Sequence, residues 1–182
     1  MRVIAVDWSG RVANADRTIW LAEAAAGQIV RLENGRDRDQ IASWLIAEAA
    51  RDRSMVVGFD FGFSLPEWYV RERFSTAPAL WKAMFDGRAE ELLATCDPPF
   101  WGRPGKRRPR DVELFRAPDR AHSIGGIRPK SVFQIGGAGA VGTGSLRGMA
   151  MLHHLHQAGF SVWPFCGDTL PCAIEIYTRL MT

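Results

Sequence analysis

Short apolar runs and one segment of helical periodicity dominate the first third of the chain. Residues 3–7 (VIAVD) and 54–60 (SMVVGFD) are rich in β-branched residues, which predicts two buried strands. Segments 18–24 and 28–32 flank a glycine and predict a hairpin. Apolar residues then recur at helical spacing over 37–51. The order strand, strand, strand, helix, strand predicts a mixed sheet in which the fourth strand runs parallel to the first.

The middle of the chain, residues 61–130, has a less regular pattern. Helices are predicted over 66–74, where a proline occupies the first turn, and over 78–94. A long stretch rich in Pro, Gly and Arg follows, and structureless stretches of more than about 15 residues are usually functional or disordered. We therefore expect 61–130 to be an insertion in a single domain that spans residues 1–182.

Regular patterns return in the last third of the chain. A short strand is predicted at 131–135, and a helix over 145–157 that a glycine terminates. Two further strands are predicted at 161–165 and 173–177. Together with the first third, these elements predict an α/β fold.

The composition is that of an ordinary globular protein, with 47% hydrophobic and 24% charged residues among 182. A chain of this length buries enough surface to fold without disulfides or a structural metal. Its three cysteines are odd in number and lack metal-site spacing, which favours a reducing, cytoplasmic setting without a disulfide-linked partner. The sequence shows neither a signal peptide nor an apolar run of membrane-spanning length, so we expect no membrane association.

Two of the predicted buried strands end in a carboxylate, at Asp7 and Asp60. If the strands are parallel neighbours, both carboxylates lie at the same edge of the sheet, where open α/β sheets bind their ligands. Two carboxylates so close repel each other unless a proton or a cation joins them, and oxygen ligands of this kind suit Mg²⁺ or Mn²⁺. The alternative is that Asp7 caps the following turn by accepting hydrogen bonds from the backbone around Ser9 and Gly10. The same backbone is a candidate for contacts with a phosphate.

Two glutamates are further candidates for this site. Glu175 lies within the predicted strand AIEIY, and it is either a third ligand or a residue that faces solvent. Glu48 shares the apolar stripe of the predicted helix 37–51 and is a weaker candidate, since a glutamate on the flank of a helix is usually solvated.

Two other segments are candidates for binding phosphate groups. GAGAVG (137–142) fits G-x-G-x-x-G, but no acidic residue follows at the distance that a dinucleotide site requires. The loop can still offer free N–H groups to a phosphate at the start of a helix, through Gly142, Gly144 and Ser145, or it can simply be a tight backbone crossing. The run RPGKRRPR includes Arg107 and Arg108, which either contact nucleic-acid phosphates or belong to a solvated loop.

Several motifs, taken in order, resemble a known family: VDWSG, GFDFGFSLP, GAVGTGSLRGMAMLHHL, WPF and IEIYTRLMT. They are similar to the domain-of-unknown-function family described as predicted ribonuclease-H-like nucleases, over essentially the whole chain. The resemblance implies a ribonuclease-H-like fold with acidic residues on the first and fourth strands, which correspond to Asp7 and Asp60. Glu175 matches the acidic residue that precedes the family's Tyr-Pro pair, whose proline is Thr178 here. Enzymes of this fold usually add an acidic residue from a C-terminal helix. None follows Thr182, so we expect either a fragment or an incomplete metal site.

The function expected from these observations is divalent-metal-dependent hydrolysis of phosphodiester bonds in nucleic acid. Asp7, Asp60 and Glu175 would be the catalytic residues and would hold Mg²⁺ or Mn²⁺. Two alternatives stay open. Actin-like ATPases and kinases share the strand order and place aspartates near nucleotide phosphates. A catalytically degenerate ribonuclease-H-like module would bind a partner or nucleic acid without cutting it.

Overall fold

The computed structural model describes residues 1–121 and 129–177. They form an α/β fold that contains a mixed six-stranded sheet. The chain divides into two compact units, of which the first consists of residues 1–61 and 151–182 and the second of residues 62–150. The second unit starts close to the predicted insertion and continues past residue 130. Thr178 and the residues after it lie outside the described part of the chain.

The first unit contains the whole sheet. Its strands are β1 (Arg2–Asp7), β2 (Trp20–Ala25), β3 (Gln28–Glu33), β4 (Met55–Phe59), β5 (Ser161–Trp163) and β6 (Cys172–Glu175). They lie in the order β3-β2-β1-β4-β6-β5. Strands β1, β4, β6 and β5 are mutually parallel, and the β2–β3 hairpin runs antiparallel beside β1. The parallel pairing of the first and fourth strands is therefore confirmed. The six strands predicted for this unit are present, although β5 and β6 each end two residues before their predicted limits, at Trp163 and Glu175.

The helices of this unit begin with a short α1 (Ala15–Thr18), followed by the predicted helix α2 (Arg38–Arg51). A capping box fixes the start of α2, because the Asp37 carboxylate accepts the Gln40 N–H while the Gln40 side chain accepts the Asp37 N–H. Arg51 in the last turn suits the helix dipole.

Alternation along the strands divides the sheet into two faces. Ile4, Val6, Val57 and Phe59 are fully buried, and we call their side the covered face because α2 lies there. The intervening residues point to the opposite side, the open face, on which Val3 is 44% exposed. Large side chains on the hairpin are also exposed on that side. The sheet is therefore apolar on both faces, and over β1, β2 and β3 only the covered face is sealed.

Glu23 on β2 joins the covered face to α2 through ion pairs. Its carboxylate accepts hydrogen bonds from Arg2 Nε at 2.7 Å and from Arg31 Nε at 3.3 Å, and its side chain is only 7% exposed. Arg2 in turn donates to Glu48 on α2 at 2.7 Å. Burial by itself raises the pKa of Glu23, but the hydrogen bonds and charges of the two arginines outweigh it and hold the pKa below its usual value.

We expect Glu23→Gln to lower the free energy of unfolding at neutral pH by about 2 kcal/mol, because it weakens two charged hydrogen bonds in a buried setting. A lowered folded-state pKa gives stability that is present above the unfolded pKa of about 4.3 and is lost as the pH falls through the folded value. The variant should therefore lose less stability on acidification than the parent. Urea unfolding at several pH values measures this. Glu67→Gln, at an exposed ion pair with Arg71, is the control and should change stability little.

The second unit is mainly helical. Its helices are α3 (Glu67–Arg73), α4 (Ala77–Ala83), α5 (Ala89–Thr95), α6 (Ala117–Ala121) and the beginning of α7 (Gly142–Gln157). The helix predicted over 66–74 is confirmed. Tyr69, Phe100 and Phe133 form an aromatic core, with ring centroids 5.1–5.8 Å apart. No helix in residues 1–121 and 129–177 is long and apolar enough to cross a bilayer.

Two predictions for this unit are wrong. The single helix predicted over 78–94 is interrupted by a π-helical segment, Met84–Arg88, in which Gly87 adopts a φ of 106°. The strand predicted at 131–135 is a turn that makes one isolated bridge, between Trp101 and Gln134. The apolar periodicity of 78–94 does not reveal the change of geometry at Gly87, and a short apolar run such as 131–135 fits a turn as well as a strand.

Candidate functional site

Asp7 and Asp60 lie side by side at the carboxyl ends of two neighbouring parallel strands. Val6 on β1 is in register with Phe59 on β4, and the Asp60 N–H extends the ladder by donating to the Val6 carbonyl at 3.2 Å. Their Cα atoms are therefore about 5 Å apart, the spacing of adjacent strands. The Asp7 side chain is exposed and Asp60 is half-buried, so this edge of the sheet is accessible to a ligand.

Glu175 does not join this pair. It is in register with Phe59, and paired residues on parallel strands point to the same side of a sheet. Glu175 therefore faces the covered side, whereas Asp7 and Asp60, one position further along their strands, face the open side. The next residue, Ile176, lies on the open side instead. It packs tightly over Gly58, because a Cβ added at Gly58 would lie 2.7 Å from Ile176 Cγ2.

The predicted cluster of three carboxylates is thus reduced to two. Across residues 1–121 and 129–177, no group of three or more His, Cys, Asp or Glu side chains is arranged to hold a metal ion. Glu48 is also excluded from this edge. It binds Arg2 and Arg51, and Arg2 begins β1 at the end opposite Asp7, roughly 16 Å away by the rise of a strand.

The loop that follows Asp7 is tied to α2 by Arg38. One guanidinium nitrogen of Arg38 donates to the Ser9 carbonyl at 3.1 Å and to the Arg11 carbonyl at 2.7 Å. The Ser9 hydroxyl accepts the Arg11 N–H at 3.3 Å, so the loop has an internal turn as well. Sequence reasoning missed Arg38. The available signal was an arginine in the first turn of a helix, where the dipole disfavours a cation unless it binds something else.

Two residues of the glycine-rich segment that were predicted to bind phosphate, Gly142 and Ser145, instead make contacts within the second unit. The Gly142 N–H donates to the Gln134 carbonyl at 2.9 Å, and a Cβ at this position would lie 2.3 Å from the Val132 carbonyl oxygen. Ser145 is fully buried, and its hydroxyl accepts the Gly62 N–H at 3.0 Å. The prediction that Gly142 and Ser145 bind phosphate is therefore corrected, because these groups are already used inside the unit. Gly144 lies in the first turn of α7.

The arginine-rich run lies on an exposed loop of the second unit. A cleft of about 870 Å³ is lined by residues 107–115. Arg108 is held between two rings, with its guanidinium carbon 5.6 Å from the centroids of both Trp101 and Phe115. Arg107 is exposed and lines the same cleft. The lining carries three arginines, two acidic residues and one aromatic ring, that of Phe115. Arg107 and Arg108 stay candidates for phosphate contacts.

Aromatic residues beside the two aspartates were not predicted. Trp20 begins β2 and is paired directly with Asp7 across the antiparallel ladder. Trp8 follows Asp7, and its ring packs against Phe59 and Phe61 at centroid distances of 6.1 and 5.0 Å. The available signal for Trp20 was its place at the start of a strand that had to run antiparallel from the end of β1.

The chain was also compared with known proteins. No protein-family model, no curated protein and no solved structure matches it. The assignment of a function therefore rests on the residues and on their geometry.

Proposed function

We propose that this chain is a divalent-metal-dependent phosphodiesterase that acts on nucleic acid and has a ribonuclease-H-like fold. The observation that carries the proposal is the pairing of Asp7 and Asp60 at the carboxyl ends of β1 and β4. A hairpin beside β1, followed by a parallel crossover strand, is the strand arrangement expected for that fold. The carboxyl edge of an open α/β sheet is also where ligands of such folds bind.

The two aspartates suit Mg²⁺ or Mn²⁺. Mg²⁺ usually keeps several waters and takes only one or two protein carboxylates together with oxygens of a substrate phosphate. A third carboxylate is therefore unnecessary for a single ion, and Asp7 and Asp60 would hold it. When bound, such an ion supplies charge neutralisation at the phosphate and an activated water.

Two features of this edge favour a bound cation, which an anionic substrate would then contact. Two carboxylates at the spacing of adjacent strands repel each other, which favours a cation between them over an empty pair. Arg38 fixes the loop after Asp7 by binding two of its carbonyls, and this limits the movement of the Asp7 backbone.

A binding module without catalysis is the second candidate. It is favoured by one observation, namely that the described residues bring only two acidic side chains together at this edge. Two metal ions about 3.5–4 Å apart, as in many nucleases, generally require more ligands than two aspartates provide. The ATPase or kinase alternative shares the strand order and the paired aspartates, but no observation among the described residues favours it over the nuclease.

A cleavage assay separates these candidates. We expect the parent protein to cut labelled single-stranded DNA or RNA in Mg²⁺ or Mn²⁺, and not in EDTA. The double variant Asp7→Asn, Asp60→Asn, prepared identically, should show no cutting above background, which controls for contaminating nucleases. Binding without cutting by the parent in either metal would favour the non-catalytic module. Cutting that persists in the double variant would exclude this site.

A further inference from the structure

Trp20, Asp7 and Asp60 form a row across three neighbouring strands of the sheet. Asp7 is in register with Trp20 on one side, and Asp60 continues the β4 ladder on the other. Directly paired residues point to the same side of a sheet, so the Trp20 ring lies on the open face together with both carboxylates. The spacing of strands places Trp20 about 5 Å from Asp7 and about 10 Å from Asp60, measured between backbones.

The Trp20 side chain is available to a ligand. It is 43% exposed, and it makes no ring contact, cation–π contact or hydrogen bond with any residue in 1–121 or 129–177. Trp163, which is 54% exposed on the edge strand β5, is the only other tryptophan of the described residues in this condition. The remaining indoles each contact another ring, a guanidinium or a carbonyl oxygen: Trp8, Trp44, Trp68, Trp81 and Trp101.

We propose that Trp20 is a stacking platform for an unpaired nucleobase of the substrate, and that the substrate class is single-stranded nucleic acid. This inference rests on the proposed function, which places a substrate phosphate at Asp7 and Asp60. Trp20 and Asp7 are paired on adjacent strands, with backbones about 5 Å apart, and both side chains stand on the open face. A nucleotide whose phosphate lies over the carboxylates can therefore place its base on the Trp20 ring.

Stacking on this ring selects single strands over duplexes. In a duplex both faces of a base are covered by its neighbours, whereas an unpaired base can lay one face on an aromatic side chain. Every base has such a face, so the contact distinguishes strandedness and not sequence. Among residues 1–121 and 129–177, Trp20 is the aromatic residue that the strand register pairs directly with Asp7.

Binding of oligonucleotides in Ca²⁺, which carboxylates also ligate, keeps a cation at the aspartates and tests the inference separately from cutting in Mg²⁺ or Mn²⁺. Fluorescence anisotropy is measured at low salt, with labelled oligo-dT and with an abasic sugar-phosphate oligomer of equal length. Alanine in place of a stacking aromatic weakens binding by about 5- to 150-fold per base, so Trp20→Ala should lose that much affinity for oligo-dT. Trp20→Phe should retain most of it. The abasic oligomer should bind the parent and Trp20→Ala equally.

Trp163→Ala is the matched control, because it removes another exposed tryptophan, on a strand two positions beyond β4. It should leave the affinity for oligo-dT unchanged. An equal loss in both alanine variants, an unchanged affinity in Trp20→Ala, or a preference of the parent for duplex would overturn the inference. If Trp20→Ala loses affinity for oligo-dT but the parent never cuts in Mg²⁺ or Mn²⁺, Trp20 is a base platform and the proposed nuclease activity is wrong. If the parent cuts but Trp20→Ala binds oligo-dT as the parent does, the nuclease proposal stands and the role of Trp20 is wrong.

Discussion

Asparagine in place of Asp60 is expected to weaken Mn²⁺ binding by at least about tenfold, because altering even an outer partner of a metal ligand typically costs 10–100-fold. Asp7→Asn should cause a similar loss, since the two side chains occupy equivalent positions at the ends of β1 and β4. Each substitution removes one formal negative charge and nearly preserves shape. The effect should therefore appear in the affinity for metal.

Glu175→Gln is the informative control for this pair. The register places Glu175 on the covered face, so its neutralisation should leave Mn²⁺ affinity unchanged. Calorimetric titration of the parent and the three single variants measures all these affinities under identical conditions. A loss in Glu175→Gln as large as that in Asp60→Asn would show that its carboxylate reaches around the sheet end. Unchanged affinity in Asp7→Asn and Asp60→Asn would remove the metal site.

Alanine at Gly142 should destabilise the second unit by about 3 kcal/mol, the upper range for overpacking a well-packed interior. The added Cβ would lie 2.3 Å from the Val132 carbonyl oxygen and 2.7 Å from that of Gln134. Both obstacles are backbone atoms, which cannot move aside as the end of a flexible side chain can. The Gly142 N–H bond to Gln134 would be lost or lengthened as the segments separate.

Gly139→Ala serves as the comparison within the same segment. Its φ of 72° disfavours alanine, but its nearest neighbour would be Lys130 Cε at an ordinary 3.5 Å. Only the conformational cost of about 1–2 kcal/mol should apply. Thermal unfolding of the three proteins, followed by circular dichroism, measures the difference. Equal effects of the two substitutions would mean that steric contact at Gly142 contributes nothing.

The first unit was largely predictable from sequence. Buried strands such as β1 and β4 are apolar and β-branched, and α2 has a periodic stripe with a capping box. Connection rules then give the parallel pairing of β1 with β4. The neighbourhood of Asp7 and Asp60 follows from that pairing alone, so the core of the site could be derived before any coordinates.

The third carboxylate could not be derived in the same way. Alternation within AIEIY correctly places Glu175 and its two neighbours on opposite faces of the sheet. It does not say which of these faces also carries Asp7 and Asp60. That depends on the register of β6 against β4, and a shift by one residue moves every side chain to the other face. Trp20 was missed for a related reason. Its place beside Asp7 is known only once the register between β1 and β2 is known.

The glycine-rich segment shows another limit of sequence patterns. Free N–H groups and close backbone crossings both require glycine, so the letters GAGAVG fit either. At Gly142 only the positions of Val132 and Gln134, which belong to a segment without regular structure, decide between the two.

The division of the sheet into two faces has a consequence for how this protein can change over time. On the covered side of β1, substitutions at Ile4 or Val6 act on folding, and therefore on abundance. On the open side, Val3 and Asp7 are exposed and contribute little to the core, so their variation should leave folding unchanged. Tolerance to mutation should thus alternate residue by residue along the strand. Under the proposed function, selection could adjust substrate preference on the open side without repacking the covered one.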